Sequence, residues 1–230
     1  MKILSLYIKS IPKCLNWLLG TSVAILLIKI IYLDKLKEPL IGMHKIGIFV
    51  EGLLASVIAS YVFYIIVVHL KEVRNKLCIY PIIKKWSNGV VGDCTNLLRG
   101  FSKHSGIDLT LENISSDNIK NCFLKIDPNS KTAPLLVKTE LADWIQFQVF
   151  YSNRGQNRIR EILTQGLYLD SKLVSLILSI DDCGYFKQIQ YIKHERTGNK
   201  DISFLTSTFY EYCCLCRTLK EYINKNLKNY

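Results

Sequence analysis

The chain has 230 residues and a formal net charge of +11; 49% of its residues are hydrophobic and 21% charged. It carries no internal repeat, no low-complexity segment, no P-loop and no G-x-G-x-x-G, which excludes the nucleotide-binding classes those motifs define. The basic excess is spread along the chain, with net +4 on residues 1–70 and net +7 on residues 71–230.

Two apolar stretches come first, at about Leu15–Leu33 and about Ile46–Leu70. Each is long enough to cross a bilayer core of roughly 30 Å, which takes about 20 apolar residues as a helix. The first is too long for the core of a signal peptide and ends in Ile31-Tyr32-Leu33-Asp34, without a small-x-small cleavage site. The expected arrangement is a two-helix transmembrane hairpin over residues 1–70, followed by a soluble domain over 71–230. Flanking charge orients it. Lys2, Lys9 and Lys13 precede the first span, and Lys71, Arg74, Lys76, Lys84 and Lys85 follow the second; the connecting loop has Lys35, Lys37 and Lys45. Eight positives against three place both termini on the cytoplasmic side and residues 34–45 outside. Seven of the eight cysteines follow the second span, where a reducing cytosol keeps them as thiols. On that side the Asn113-Ile114-Ser115 sequon has no meaning.

Two charges lie inside the spans. Lys29 is four residues before Leu33 and Glu51 five after Ile46, so both sit roughly 6–8 Å in from the outer boundary. In an antiparallel hairpin they are at matching height. Pairing between them is one expectation; separate snorkelling outward is the other. Gly52, Ser56 and Ser60, with Ala55 and Ala59 beside them, form a small-residue ladder that suits close helix packing, either on the first span (Gly20, Ala24) or on a second copy. Trp17 and Tyr32 suit the two membrane interfaces.

Beyond the spans, Pro81 predicts a break or kink near Tyr80, with Gly89 and Gly92 as further punctuation. Asp93 reads as the cap of a short helix through Phe101. A helix from Ser116 or Asp117 places Ile119, Cys122, Phe123 and Ile126 on one face, and Asp127-Pro128-Asn129-Ser130 is a turn. An amphipathic helix is predicted from Thr139, with Glu140 and Asp143 in its first turn and Leu141, Trp144, Ile145, Gln148 and Val149 at 3/4 spacing. Asp170 caps Lys172–Ile180, with Leu173, Leu176, Ile177 and Ile180 on one face; Gly184 ends it, and Tyr185–Ile192 follows. A last helix, about Ile202 to Leu227, turns Leu205, Phe209, Tyr212, Cys213, Cys216, Leu219 and Ile223 inward. With no sustained strand alternation, the fold class is all-α: the hairpin plus a helical cytosolic domain.

Tyr168-Leu169-Asp170-Ser171-Lys172-Leu173, Ile180-Asp181-Asp182-Cys183-Gly184-Tyr185-Phe186, and Ala59-Ser60-Tyr61-Val62-Phe63-Tyr64-Ile65-Ile66-Val67-Val68 in the second span together resemble a loose group of bacterial two-span proteins. The resemblance covers about a third of the chain. It implies a bacterial inner membrane and a helical cytosolic domain, and it brings no activity, ligand or functional residue with it.

No catalytic residue, metal ligand or cofactor is assigned from the sequence. Cys213 and Cys216 have C-x-x-C spacing without the second pair a zinc site needs, so buried packing is the better reading. No histidine has a triad partner at a recognisable spacing. Arg154, Arg158 and Arg160 form a basic run suited to a phosphate, nucleotide or lipid headgroup, with a solvated helix face as the plain alternative. The expected function is a non-enzymatic membrane protein whose cytosolic domain senses or binds a protein or an anionic ligand, with the lipid bilayer and a second copy of the chain as further expected partners. The alternatives are a triggered membrane-disrupting effector and a membrane-associated enzyme. Nucleic acid is not an expected partner, because aromatic and basic residues are not interleaved on one segment.

Overall fold

A computed structural model of the protein describes residues 11–32, 43–193 and 198–227. Among these residues the regular structure is helical apart from one two-stranded ribbon. The chain divides into two compact units, Met1–Leu77 and Cys78–Tyr230.

In the first unit, α1 (Lys13–Ile31) packs against α2 (Met43–Phe63), which runs into a π-helical turn, Tyr64–His69. Two helical stretches, Lys13–Ile31 and one beginning at Lys45, are long and apolar enough to cross a membrane. The less exposed positions of α1 are Leu15, Leu19, Ser22, Leu26 and Lys29; those of α2 include Glu51, Leu54, Ile58 and Tyr61. Both sets follow alternating steps of three and four, the spacing of one helix face. Gly52, Ala55, Ser56, Ala59 and Ser60 are exposed, so the small-residue ladder lies outside the α1–α2 seam. The π-helical turn has no counterpart in the sequence reading. His69 closes it, buried, with its ring centroid 6.2 Å from that of Tyr64.

The second unit is built on the following helices: the C-terminal part of α3 (Leu70–Ser105), α4 (Ser116–Phe123), α5 (Trp144–Leu163), α6 (Ser171–Asp181), α7 (Gly184–Ile192) and α8 (Thr206–Asn226). α8 packs against α4, α6 and α7, and α5 against α6 and α7. Its inward face is the one the periodicity predicts: Phe209, Tyr212, Cys213, Cys216, Leu219 and Ile223 are all buried. At the centre lies an aromatic cluster. The Phe101 ring sits 5.0 Å from Phe123, 5.4 Å from Phe209 and 5.6 Å from Trp144. Each such side chain contributes roughly 1.5–3 kcal/mol when fully buried. Gln148 ties polar groups into this core: its Nε2 donates to Trp144 O at 3.1 Å and its Oε1 accepts from the Tyr185 hydroxyl at 3.2 Å.

Several local expectations are corrected. Pro81 does not end a helix; α3 runs unbroken from Leu70 to Ser105 with Pro81 inside it. The proline ring removes one backbone bond, the one α3 would make to the Leu77 carbonyl. Leu77 is also the residue at which the two units divide. Gly89 and Gly92 are helical, and Asp93 lies within the helix and caps nothing. Residues around Thr139 are not helical. β1 (Leu136–Val137) pairs antiparallel with β2 (Glu140–Leu141), and Lys138 between them has φ +58°. A two-residue turn of this kind needs positive φ, which a helix forbids. The helix starts at Trp144 because Asp143 forms a capping box with Gln146: the Gln146 N–H donates to Asp143 Oδ1 at 2.7 Å. Leu141 is therefore exposed, outside the core. Gly184 opens α7 and does not end α6. Asp170 does cap α6, accepting from the Leu173 N–H at 3.0 Å, and its second oxygen accepts from the Tyr222 hydroxyl on α8.

Candidate functional site

Among the described residues of the second unit, a buried charged cluster joins α3 to α5. Asp93 is completely buried, with hydrophobic neighbours on its own helix face: Val90, Cys94, Leu97 and Leu98. A lone carboxylate there would cost several kcal/mol in lost hydration. Two arginines one turn apart on α5, Arg154 and Arg158, supply the compensation, since residues at i and i+4 share a helix face. Arg154 donates from Nε to Asp93 Oδ1 at 2.7 Å and also from Nη2 to the same oxygen. Arg158 donates from Nη1 to Asp93 Oδ2 and, at 2.8 Å, to the Gly89 carbonyl.

Two further features fix the guanidinium groups. Arg154 Cζ lies 4.7 Å from the centre of the Tyr151 ring and 5.3 Å from that of Phe150, in cation–π range. Its bond to Asp93 raises the Arg154 pKa above its ordinary value. Arg158 lies directly over Gly89. A Cβ there would be 2.7 Å from Arg158 Nε and 2.8 Å from its Cδ. Glycine at this position is what allows the arginine to reach the α3 backbone.

One negative charge thus holds two positive ones, and the triad carries a surplus of one positive charge. The Arg154 and Arg158 side chains are 37% and 30% exposed. Arg160 points elsewhere: it is exposed, and its side chain forms no hydrogen bond or ion pair with any described residue. The structure therefore brings two of the three arginines together and leaves the third apart. Asp93 was missed from the sequence as part of this site. Its signal was legible: an acid on the apolar face of α3, between Val90 and Leu97, demands an internal partner.

Four buried thiols, Cys94, Cys183, Cys213 and Cys216, interact with one another in the core. Cys94, next to Asp93, has its Sγ 3.6 Å from Cys213 Sγ, and Cys216 borders Cys94 from one turn further along α8. Burial pushes the Cys94 and Cys216 thiols well above the usual range, raises that of Cys213, and lifts Cys183 to about 11. Burial of this kind favours the neutral thiol, which packs as a small core hydrophobe. Among the described residues no three His, Cys, Asp or Glu side chains are grouped to hold a metal ion.

In the first unit, Lys29 Nζ donates to Glu51 Oε2 at 2.6 Å. The lysine side chain is 11% exposed and the glutamate 45%. A second polar contact, the Tyr61 hydroxyl donating to Asn16 Oδ1 at 2.6 Å, lies toward the other end of the helix pair. At 1.5 Å of rise per residue the two contacts are roughly 15–20 Å apart along the pair. Together they fix which residues of α1 face which residues of α2.

No protein-family model, curated protein or solved structure matches this chain.

Proposed function

We propose that this chain is a non-enzymatic integral membrane protein. In this reading α1 and α2 form a two-helix membrane anchor, and the helical unit is a cytosolic binding domain. The membrane is the inner membrane of a bacterium, with both termini cytoplasmic. The observation that carries the proposal is the outward display of large apolar side chains on both helices. Trp17, Leu18, Ile28, Phe49, Leu53 and Phe63 are each at least half exposed. An apolar surface of that extent is unstable in water and matched to a lipid core. The excess of Lys and Arg outside residues 34–45 supports the orientation. The surplus charge of the Asp93 triad supports a binding role toward anions.

The test is extraction followed by thiol labelling. The full chain should stay with membranes washed in alkaline carbonate and come off only in detergent. Cys14 and Cys78 are exposed natural reporters near the inner ends of the two spans. An impermeant maleimide added to intact cells should label neither, and should label a cysteine introduced at Pro39. Release by carbonate, or labelling of Cys78 from outside, would refute the reading.

A second reading, a triggered membrane-disrupting effector, draws on the ladder Gly52, Ser56 and Ser60 standing outside the hairpin seam, where it is open to another copy of the chain. That reading expects dye leakage from vesicles loaded with the protein once the helical domain is engaged. The anchor reading expects none.

A further inference from the structure

We propose that the solvent-facing side of the Arg154–Arg158 pair binds a phosphate group, with Asp93 and the Gly89 carbonyl serving to aim the two guanidinium forks. The proposal rests on reading the helical unit as a binding domain.

A guanidinium has five N–H groups. Arg154 spends Nε–H and one Nη2–H on Asp93, and Arg158 spends both Nη1 hydrogens, on Asp93 and on Gly89 O. The other donors of both forks have no acceptor among the described residues. They belong to side chains that are about one-third exposed, so solvent reaches them. The forks are held by a buried carboxylate, a backbone carbonyl and two aromatic rings, and lose little freedom when they bind.

The surplus positive charge selects an anion. Two adjacent forks suit a tetrahedral oxyanion, whose several oxygens can each accept from a different guanidinium; a planar carboxylate fills only one fork. Phe150, next to Arg154 and 41% exposed, offers an apolar surface to whatever the phosphate is attached to. Arg160 stands outside the site. Two sources provide the same chemistry: a soluble phosphate ester and a phosphate-bearing lipid headgroup.

The experiment uses the full chain in uncharged detergent at constant ionic strength. Equilibrium dialysis with radiolabelled inorganic phosphate should show saturable binding to the wild type. Arg154→Lys and Arg158→Lys keep the charge but lose the fork; each should weaken binding at least tenfold, while Arg160→Ala should bind like the wild type. A parallel arm places the chain in nanodiscs of phosphatidylcholine with or without phosphatidic acid. Competition by phosphatidic acid against the soluble label assigns the site to a headgroup; its absence assigns it to a soluble ester.

If the lysine variants do not fold, the wild type decides by itself. Absence of saturable uptake overturns the proposal. So does equal weakening by Arg160→Ala, which would mean diffuse attraction, and so does unchanged binding in the folded lysine variants, which would leave the pair as a structural clamp. Carbonate extraction is indifferent to all of these outcomes, so failure of the phosphate site and failure of the membrane reading are separable.

Discussion

Gly89 and Arg158 compete for one volume: the position a side chain at residue 89 would take is already held by the Arg158 guanidinium, 2.7 Å from where a Cβ would be. Gly89→Ala must therefore push Arg158 off the Gly89 carbonyl and strain its bond to Asp93. Overpacking of this sort costs about 1–3 kcal/mol. Gly92→Ala is the control, because nothing lies within 4 Å of a Cβ there. It should be neutral or stabilise the helix by up to about 1 kcal/mol. Thermal unfolding followed by circular dichroism distinguishes the two, and an equal effect from both would contradict the packing described.

The triad should be strongly non-additive. Removing Arg154 or Arg158 alone leaves Asp93 one partner. Removing both leaves a buried carboxylate with none, at a cost of about 3–5 kcal/mol. Asp93→Asn in the double-variant background should recover part of that loss, because the charge is gone. Denaturant unfolding of the five proteins measures this. A double variant no worse than the sum of the singles would mean that Asp93 is solvated and not dependent on the pair.

The core thiols make a pH prediction. A free thiol has its pKa near 9 when exposed, and burial lifts Cys183 to about 11. Above pH 9 the unfolded chain loses these protons while the folded one keeps them, so the unfolded state gains relative stability. The thiols' contribution to stability should be constant well below pH 9 and be lost as the pH rises from there through about 11. Cys183→Ala should make this slope shallower. The same burial predicts that a thiol reagent modifies Cys78 at once and Cys94, Cys213 and Cys216 only on unfolding.

Lys29 and Glu51 should behave as a unit. Lys29→Ala and Glu51→Ala each strand one charge, whereas the double variant strands none. In a double-mutant cycle for unfolding in detergent, the double variant should be no less stable than either single. Simple additivity would show that the 2.6 Å contact contributes nothing.

Helix faces in this protein are local properties and were readable from spacing. Leu173, Ile177 and Ile180 on α6, and Phe209 to Ile223 on α8, are buried at the 3/4 spacing, while Leu176 on the same predicted face of α6 is half-buried. Asp170 caps α6 because capping needs only the acid and the N–H three residues on. Where the reading failed, a local signal competed with a neighbour. At Thr139 the apolar spacing favoured helix, yet the ribbon Leu136–Leu141 and the capping box at Asp143 took those residues first. At Pro81 the helix-breaking signal was overridden, and Pro81 sits within the 36-residue helix α3.

The sequence by itself determined two apolar helices of membrane-spanning length, the all-α class, and the buried faces of α4, α6 and α8, because all of these depend on residues within a few positions of one another. Only the tertiary structure decided the partner of Asp93, the separation of Arg160 from Arg154 and Arg158, and the outward placement of the small-residue ladder. Asp93 and Arg154 are 61 residues apart. Whether such a charge is a cap, a solvated side chain or half of a buried pair depends on which helix the rest of the chain brings to it, and local periodicity carries no information about that.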